Sequence, residues 1–161
     1  MEESGGVQDS LYVQVPCDLT ESQYCDSLPV KVLVVDDHEV VRKGVCAILT
    51  IHLQPEICVE AANGQEAITK ALVLQPDLIL LDVNMPLMNG FVAARELKVL
   101  LPRVPILFLT MHDGENFLAE ARRAGVQGFI TKDRAGEVLI DAINAVLNNG
   151  TFFPPYAAVH G

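Results

Sequence analysis

The sequence is poor in basic residues, and this shortage limits what the chain can bind. Its 161 residues include 11 Lys and Arg against 21 Asp and Glu, which gives a formal net charge of −10. Nucleic-acid binding depends on clustered Lys and Arg that neutralise phosphates. The chain is therefore not expected to hold nucleic acid by itself, whereas its acidic excess is compatible with a divalent cation or a basic partner surface.

The sequence also lacks a long apolar run, although half of its residues are hydrophobic. The longest run, around Leu78 to Leu81, ends at a carboxylate and is far too short to cross a bilayer. The N-terminus has no basic region followed by an apolar one, so it does not resemble a secretory signal. We expect a cytoplasmic protein without a membrane segment, long enough for one ordinary domain.

Metal-binding cysteine pairs are missing as well. None of the four cysteines forms a Cys-x-x-Cys pair, and no histidine lies at zinc-site spacing from two of them. Cys46 and Cys58 fall within apolar patterns and are expected to be small buried hydrophobic residues. Cys17 and Cys25 lie near the N-terminus, where a reducing cytosol favours free thiols.

Two segments differ from the regular pattern of the rest of the chain. Residues 1–29 mix Ser, Gln, Glu, Asp and Gly without a sustained period, and they are predicted to be a flexible N-terminal tail. Residues 151–161, TFFPPYAAVHG, contain no further periodic segment or basic helix and are predicted to be linker. The folded domain is expected to span residues 30–150.

Within residues 30–150, β-branched apolar runs alternate five times with amphipathic helical stripes. Five strand–helix units in series predict an α/β fold with one parallel, doubly wound, five-stranded sheet and helices on both faces. The predicted strands are Val30–Val35, Glu56–Ala61, Asp77–Leu81, Val104–Leu109 and Val126–Ile130. The predicted helices are Glu39–Thr50, one from Asn63-Gly64 to before Gln75-Pro76, Phe91–Leu100, Glu115–Ala124 capped by Gly125, and Gly136–Leu147. The stripes expected to face the sheet include Val40, Val41, Val45, Ile48 and Leu49, then Ala67, Ile68, Ala71 and Leu72.

Polar side chains follow four of the predicted strands directly. Asp36 and Asp37 follow the first strand, Asp82 the third, Thr110 the fourth, and Lys132 comes after the fifth. Ligands of doubly wound sheets bind at the carboxyl ends of the strands, so these side chains are expected to converge on one site. His38 and Glu39 are assigned instead to the first turn of the following helix.

Each of these residues has a structural alternative when it is taken singly. Asp37 alone is typical of a helix N-cap, and Asp82 alone of a cap on the following turn. Thr110 is typical of the end of a β-branched strand, and Lys132 of a solvated loop. All of these alternatives together would require four coincidences at one sheet edge, so we favour a functional site.

The residue types at this edge indicate phosphoryl chemistry. Crowded carboxylates raise one another's pKa unless a cation neutralises them, and oxygen ligands favour a hard ion such as Mg²⁺. A phosphoryl group could bind beside the ion, with Lys132 and Thr110 holding its remaining oxygens. Because the edge offers no Ser or Cys nucleophile and no Gly-rich cradle, the candidate nucleophile is a carboxylate that forms an acyl phosphate.

Four motifs occur in the order of a known family. They are DD after the first strand, D-V-N-M-P-x-M-N-G after the third, L-T after the fourth and T-K after the fifth. From Val30 to about Gly150 the sequence resembles the receiver domain of two-component response regulators, which has a CheY-like, flavodoxin-like (βα)5 fold. The phrases VDDHEVVRKG, LTMHD and NNGTFFPP resemble the NarL/FixJ-type regulators most.

The resemblance implies a role for the acidic residues. Asp82 matches the aspartate that accepts a phosphoryl group from a histidine kinase. Asp36 and Asp37 match the acidic pair that binds Mg²⁺, with Asp82 and the backbone carbonyl of Asn84 as further metal ligands.

The resemblance also implies a switch and partners. Thr110 matches the hydroxyl that bonds the phosphoryl group, Lys132 matches the lysine that pairs with its oxygens, and Phe129 matches the family's rotating aromatic residue. Phosphorylation would bias an equilibrium on the face of the fourth and fifth helices. The implied partner is a sensor histidine kinase or a phosphotransfer protein, and dimerisation on phosphorylation is a further expected interaction. Such a domain is not an enzyme with a separate substrate, since it catalyses only its own phosphorylation and dephosphorylation.

Three alternatives stay open at this point. NarL/FixJ-type regulators continue into a helix-turn-helix domain, so the chain is expected to be a single-domain receiver or a fragment of a LuxR-type transcriptional regulator. A second alternative is an Mg²⁺-dependent aspartyl phosphatase. Such enzymes usually have a second Asp two residues after the nucleophile, and the Asn84 at that position here disfavours this alternative. A receiver that is never phosphorylated is disfavoured by the complete acidic set and Lys132.

Overall fold

The computed structural model describes residues 30–53, 57–111 and 114–153, in which strand and helix alternate five times. The strands are β1 Lys31–Val35, β2 Ile57–Ala61, β3 Leu78–Asp82, β4 Ile106–Thr110 and β5 Gly128–Thr131. The helices are α1 Glu39–His52, α2 Gly64–Leu74, α3 Gly90–Leu100, α4 Glu115–Arg123 and α5 Ala135–Leu147, with a 3-10 turn Lys132–Arg134 before α5. The predicted tail 1–29, the start of the second predicted strand at Glu56 and residues 154–161 lie outside the described residues.

The sheet has the predicted doubly wound topology. All five strands are parallel, in the order β2-β1-β3-β4-β5. The chain runs outward from β1 to β2 and then crosses to β3, so the strand order reverses between β1 and β3. Register pairs Val35 with Leu81 and Asp82 with Leu109, which brings the residues after β1 to the same edge as the end of β3.

Apolar side chains cover both faces of the three central strands, which explains why these strands are continuous apolar runs. Alternate residues of each strand point to opposite faces. One face packs beneath α2, α3 and α4 through Leu33, Val35, Ile79, Leu81, Ile106 and Phe108. The other face packs beneath α1 and α5 through Val32, Val34, Leu78, Leu80, Leu107 and Leu109.

Two residues of the predicted inward stripes are exposed, and these predictions were wrong. Val40 is 84% exposed and Leu72 is 45% exposed. At about 100° per residue, Val40 lies about 180° around α1 from the buried Leu49, and Leu72 lies about 140° around α2 from Ala67. The helix ends are otherwise close to prediction. Gly125 has φ +84°, and its N–H donates to the Arg122 carbonyl, as expected of the cap after α4.

The start of the predicted linker lies alongside β5. Phe152 pairs with Gly128 in a parallel bridge, its N–H donates to the Gln127 carbonyl at 2.9 Å, and its carbonyl accepts from the N–H of Phe129 at 3.0 Å. A Cβ on Gly128 would collide with the Phe152 carbonyl, so only glycine permits this close approach. Among the described helices, none combines the length and apolarity needed to cross a membrane.

Candidate functional site

Three polar side chains at the carboxyl ends of β1, β3 and β5 form one ion-paired cluster. The Lys132 Nζ lies 2.7 Å from Asp36 Oδ2 and 3.3 Å from Asp82 Oδ1. The side chain of Asp36 is fully buried, that of Asp82 is 3% exposed and that of Lys132 is 13% exposed. Because buried carboxylates are stable only when a cation compensates them, Lys132 is the group that lets both acids fold into this edge.

One oxygen of this cluster, Asp82 Oδ2, is buried and has no hydrogen-bond donor in the described parts of the chain. The Asp36 Oδ2 oxygen lies 2.7 Å from the Lys132 ammonium. Buried polar atoms of native proteins usually have such a partner, and exceptions are frequent at ion or ligand sites. Asp82 Oδ2 is thus the carboxylate oxygen that is available to a cation or an electrophile.

Asp37 and His38 extend the cluster towards solvent. Ligand atoms of Asp36, Asp37, His38 and Asp82 all lie within 4.8 Å of one another, which is a spacing that could hold a metal ion. The His38 Nδ1 lies 3.2 Å from Asp36 Oδ1 and 3.1 Å from Asp37 Oδ1. Its backbone N–H donates to Asp36 Oδ1 at 2.8 Å.

The contacts of His38 were missed by the sequence analysis, which placed this residue in the first turn of the helix. The helix begins one residue later, at Glu39, and His38 occupies the N-cap position without a side-chain cap bond. The available signal was the spacing Asp-x-His, since an Asp side chain readily accepts from the backbone two residues on. That turn brings the imidazole against both carboxylates.

Burial favours the neutral form of both Asp82 and Lys132, so burial by itself raises the pKa of the acid and lowers the pKa of the base. Burial raises the pKa of Asp82 to about 6; the neighbouring Asp36 carboxylate adds to the rise, and Lys132 opposes it. Burial alone would lower the pKa of Lys132, but the carboxylates of Asp36 and Asp82 outweigh burial, so that this pKa is raised. At neutral pH the cluster therefore holds a largely ionised Asp82 beside a protonated Lys132.

Thr110 ends β4, the strand between those that carry Asp82 and Lys132, and Asn84 lies two residues after Asp82. Thr110 is the fully buried last residue of β4, directly after Leu109, the register partner of Asp82. The backbone N–H of Asn84 donates to Asp82 Oδ1 at 3.4 Å, and the residue is exposed. Metal binding by the Asn84 carbonyl stays a prediction.

Phe129 is fully buried in β5, three residues before Lys132. Its ring meets that of Phe117 from α4 at a centroid distance of 4.9 Å, and that of Phe153 at 6.1 Å. Both pairs are edge-to-face, the arrangement that aromatic quadrupoles favour. The predicted switch residue is therefore packed between α4 and the segment that follows α5.

Gly90 fixes the loop that follows Asp82. A Cβ on Gly90 would collide with the Asp82 carbonyl and lie 2.7 Å from the Val83 Cα, so the start of α3 can approach this strand end only with glycine. The Gly90 N–H donates to the Val83 carbonyl at 2.7 Å. Asn89 caps α3 by accepting from the N–H of Val92. The loop is thereby closed immediately beside Asp82.

Arg42 supports the acidic pair from α1, a role that the sequence analysis did not assign. Its Nη1 donates to the Asp36 carbonyl at 2.7 Å, and its Nε donates to Glu60 Oε1 at 2.9 Å. Glu60 belongs to β2 and also binds Lys43 at 3.0 Å. Arg42 thus connects the strand end that carries Asp36 to the edge strand of the sheet.

Known proteins share both the sequence pattern and the fold. Residues 32–144 match the family described as response regulator receiver domain. The chain is 33% identical to the transcriptional regulatory protein LnrK of Bacillus subtilis over 126 residues, which are 78% of this chain and 57% of LnrK. It is 37% identical to the response regulator protein VraR of Staphylococcus aureus strain Mu3 over 132 residues, 82% of this chain and 63% of VraR.

A solved structure of a response regulator has a similar fold and sequence. The crystal structure of a two-component response regulator of the LuxR family from an Aurantimonas species matches with a TM-score of 0.74 and 31% identity, over 83% of this chain and 95% of that chain. The chain spans less than two thirds of the length of the two curated relatives. The family match covers more than half of the chain, and the predicted resemblance is confirmed. The chain belongs to the family of response regulator receiver domains of two-component systems, and it is related to LuxR-type regulators.

Proposed function

We propose that this receiver domain acts in the cytoplasm and accepts a phosphoryl group on Asp82 from a sensor histidine kinase or a phosphotransfer protein. The observation that carries this proposal is the buried Asp82 Oδ2, which has no hydrogen-bond donor in the described residues, beside an ammonium 3.3 Å from the other oxygen. A carboxylate oxygen without a donor is a better nucleophile than one that donors already engage.

The donor set fits a magnesium ion. Asp36, Asp37 and Asp82 supply clustered carboxylate oxygens, of which Asp82 Oδ2 is buried without a hydrogen bond, and the Asn84 carbonyl is a further proposed ligand. Hard oxygen ligands in this number suit Mg²⁺, which keeps several waters and binds phosphate oxygens. When bound, Mg²⁺ would neutralise the carboxylates and withdraw charge from the phosphoryl oxygens.

The residues of the chain then carry the transfer. Asp82 Oδ2 attacks the phosphorus in line, the phosphorus–nitrogen bond of the donor histidine breaks, and the imidazole leaves with the electron pair. The Lys132 ammonium stabilises the charge on the phosphoryl oxygens, because it already lies within ion-pair distance of the attacking carboxylate. Thr110 donates its hydroxyl to the transferred group.

We propose that the output of the site is a change of protein contacts. Thr110 ends β4 and pairs with Thr131 of the adjacent strand β5, two residues after Phe129, whose register partner is Phe108. A shift of Thr110 towards the phosphoryl group would alter the packing of Phe129 against α4. The face of α4 and α5 is the proposed contact surface, including that of a homodimer formed on phosphorylation.

Labelling with a small phosphodonor tests this proposal. Acetyl phosphate with Mg²⁺ should add one base-labile phosphoryl group by intact mass, and a chelator should prevent the addition. Asp82→Asn should abolish it, whereas Asp133→Asn, which changes an exposed carboxylate next to Lys132, should leave it unchanged. Equal labelling of the Asp82→Asn and unchanged chains would refute the proposal.

Lys132 offers a second test, which separates binding from signalling. Lys132→Ala is expected to preserve Mg²⁺ binding but to uncouple phosphorylation from partner binding, because the ammonium no longer links the phosphoryl group to β5. Mg²⁺ titration and partner binding with and without phosphorylation measure the two effects. A Lys132→Ala chain that still responds to phosphorylation would contradict this role.

A further inference from the structure

A close pair of thiols lies outside the site described above. The Sγ atoms of Cys46 in α1 and Cys58 in β2 are 2.6 Å apart, and both are free cysteines. The apolar patterns predicted two small buried residues, but both side chains are only half-buried, so this prediction was wrong. Two thiols in contact near the surface differ chemically from two isolated core residues.

The fold holds the two cysteines together through the packing of α1 on the edge of the sheet. Both side chains pack against the core cluster formed beneath α1 and α5. The Arg42–Glu60 ion pair joins α1 to β2 one turn before Cys46 and two residues after Cys58. A disulfide has a sulfur–sulfur distance of about 2.05 Å, and the two thiols are in direct contact, so the fold already brings the sulfurs together for bond formation.

A small-molecule disulfide can reach this pair from one side. Cys58 lines an open cavity of about 370 Å³, whose wall includes Arg42, Lys43 and Lys70 together with their ion-pair partners Glu60 and Glu66. The contact with Cys58 lowers the pKa of Cys46 against burial and the charge of Glu60, and the charges of Lys43 and Arg42 make smaller contributions in the same direction as Cys58. The same contact, together with burial, raises the pKa of Cys58. The attacking species in the first step is the thiolate of one of these two cysteines.

We propose that Cys46 and Cys58 form a redox-reversible modification site, which a low-molecular-weight disulfide such as oxidised glutathione converts into a disulfide between α1 and β2. The thiolate of one cysteine attacks one glutathione sulfur, forming a mixed disulfide and releasing one glutathione thiolate. The other cysteine then loses its proton and attacks the protein sulfur of the mixed disulfide, releasing the second glutathione thiolate. The protein loses two protons and two electrons, which reduce oxidised glutathione to two thiols.

The cross-link would fasten the edge strand to α1 and close the chain between residues 46 and 58. Closing such a loop restricts the unfolded chain, and the expected rise in Tm is on the order of 10 °C. Reduction with a dithiol should reverse this rise. The modification is independent of Asp82, so the proposal does not rest on the phosphoryl acceptor.

The test uses the full chain carrying Cys17→Ser and Cys25→Ser, in which Cys46 and Cys58 are the remaining cysteines. Equilibration with oxidised and reduced glutathione should give a chain lighter by two hydrogens. Digestion without reductant should yield the peptide that joins Cys46 to Cys58. Thermal unfolding should show the rise in Tm, and dithiothreitol should restore the reduced value.

Single replacements provide matched controls. Adding Cys46→Ser or Cys58→Ser should abolish both the loss of two hydrogens and the rise in Tm, and circular dichroism checks that each variant is folded. Two thiols that remain fully open to alkylation after equilibration in excess oxidised glutathione would overturn the proposal. A folded chain that carries glutathione on both cysteines, without a cross-link, would overturn it as well.

Discussion

The ring of Phe153 packs edge-to-face against the ring of Phe129, with 6.1 Å between the centroids and 66° between the planes. The Arg122 guanidinium of α4 lies over the face of the Phe153 ring, 4.6 Å from the ring centroid. The segment that follows α5 therefore contacts the proposed switch residue directly. A change in the packing of Phe129 would therefore alter the contacts of the segment that follows α5.

Phe153→Ala is expected to lower the free energy of unfolding by about 1–3 kcal/mol, because it removes the ring contact with Phe129 and the cation–π contact with Arg122. Urea denaturation measures the change. Phe153→Leu is the matched control, since it keeps most of the apolar volume and should lose less. Equal stability of Phe153→Ala and the unchanged chain would show that this segment does not stabilise the domain.

Gly128→Ala should also displace the segment that follows α5, because the added Cβ would collide with the Phe152 carbonyl. We expect a loss of about 1–3 kcal/mol that is not additive with Phe153→Ala, since either change alone releases the segment. Double-variant denaturation measures this coupling. Gly136→Ala is the control, because a Cβ there meets nothing within 4 Å in α5 and should stabilise by about 0.5–1 kcal/mol.

Asp82→Asn is expected to stabilise the metal-free domain by about 1–3 kcal/mol at neutral pH. The raised pKa of Asp82 means that the fold disfavours its ionised form, because of burial and the neighbouring Asp36. Thermal unfolding in a chelator measures the effect. Asp133→Asn should change stability by less than about 0.5 kcal/mol, since that carboxylate is exposed.

With Mg²⁺ present, the unchanged chain should become more stable than Asp82→Asn. Mg²⁺ binds the folded state and should raise the Tm of the unchanged chain, whereas Asp82→Asn removes one carboxylate ligand and should show a smaller rise. A variant that is less stable than the unchanged chain without metal would contradict the repulsion between Asp36 and Asp82.

Arg42→Lys should weaken both the fold and the metal site. Lysine keeps the charge but cannot donate in two directions, to the Asp36 carbonyl and to Glu60, as the guanidinium does. We expect a loss of about 1–2 kcal/mol and several-fold weaker Mg²⁺ binding, because Asp36 is held less firmly. Arg95→Lys, on the exposed face of α3, should change neither quantity measurably.

The sequence predicted the fold and the gathering of the site residues because both depend on local patterns. Apolar runs with a period of two or 3.6 identify strands and helices, and parallel strands end at one edge. The sequence alone therefore placed three residues at one edge of the sheet: Asp36, Asp82 and Lys132. The same reasoning failed for Val40, since a hydrophobic residue at the start of a helix can face solvent without disturbing the pattern.

What the sequence by itself determined is the α/β alternation and the set of acids, hydroxyl and lysine at the strand ends. Only the tertiary structure decided which atoms meet: Lys132 with Asp36 Oδ2, Phe153 with Phe129, and Cys46 with Cys58. These contacts depend on strand order, register and the angle of each helix on the sheet. Such long-range geometry results from packing the whole core, and no local period in the sequence records it.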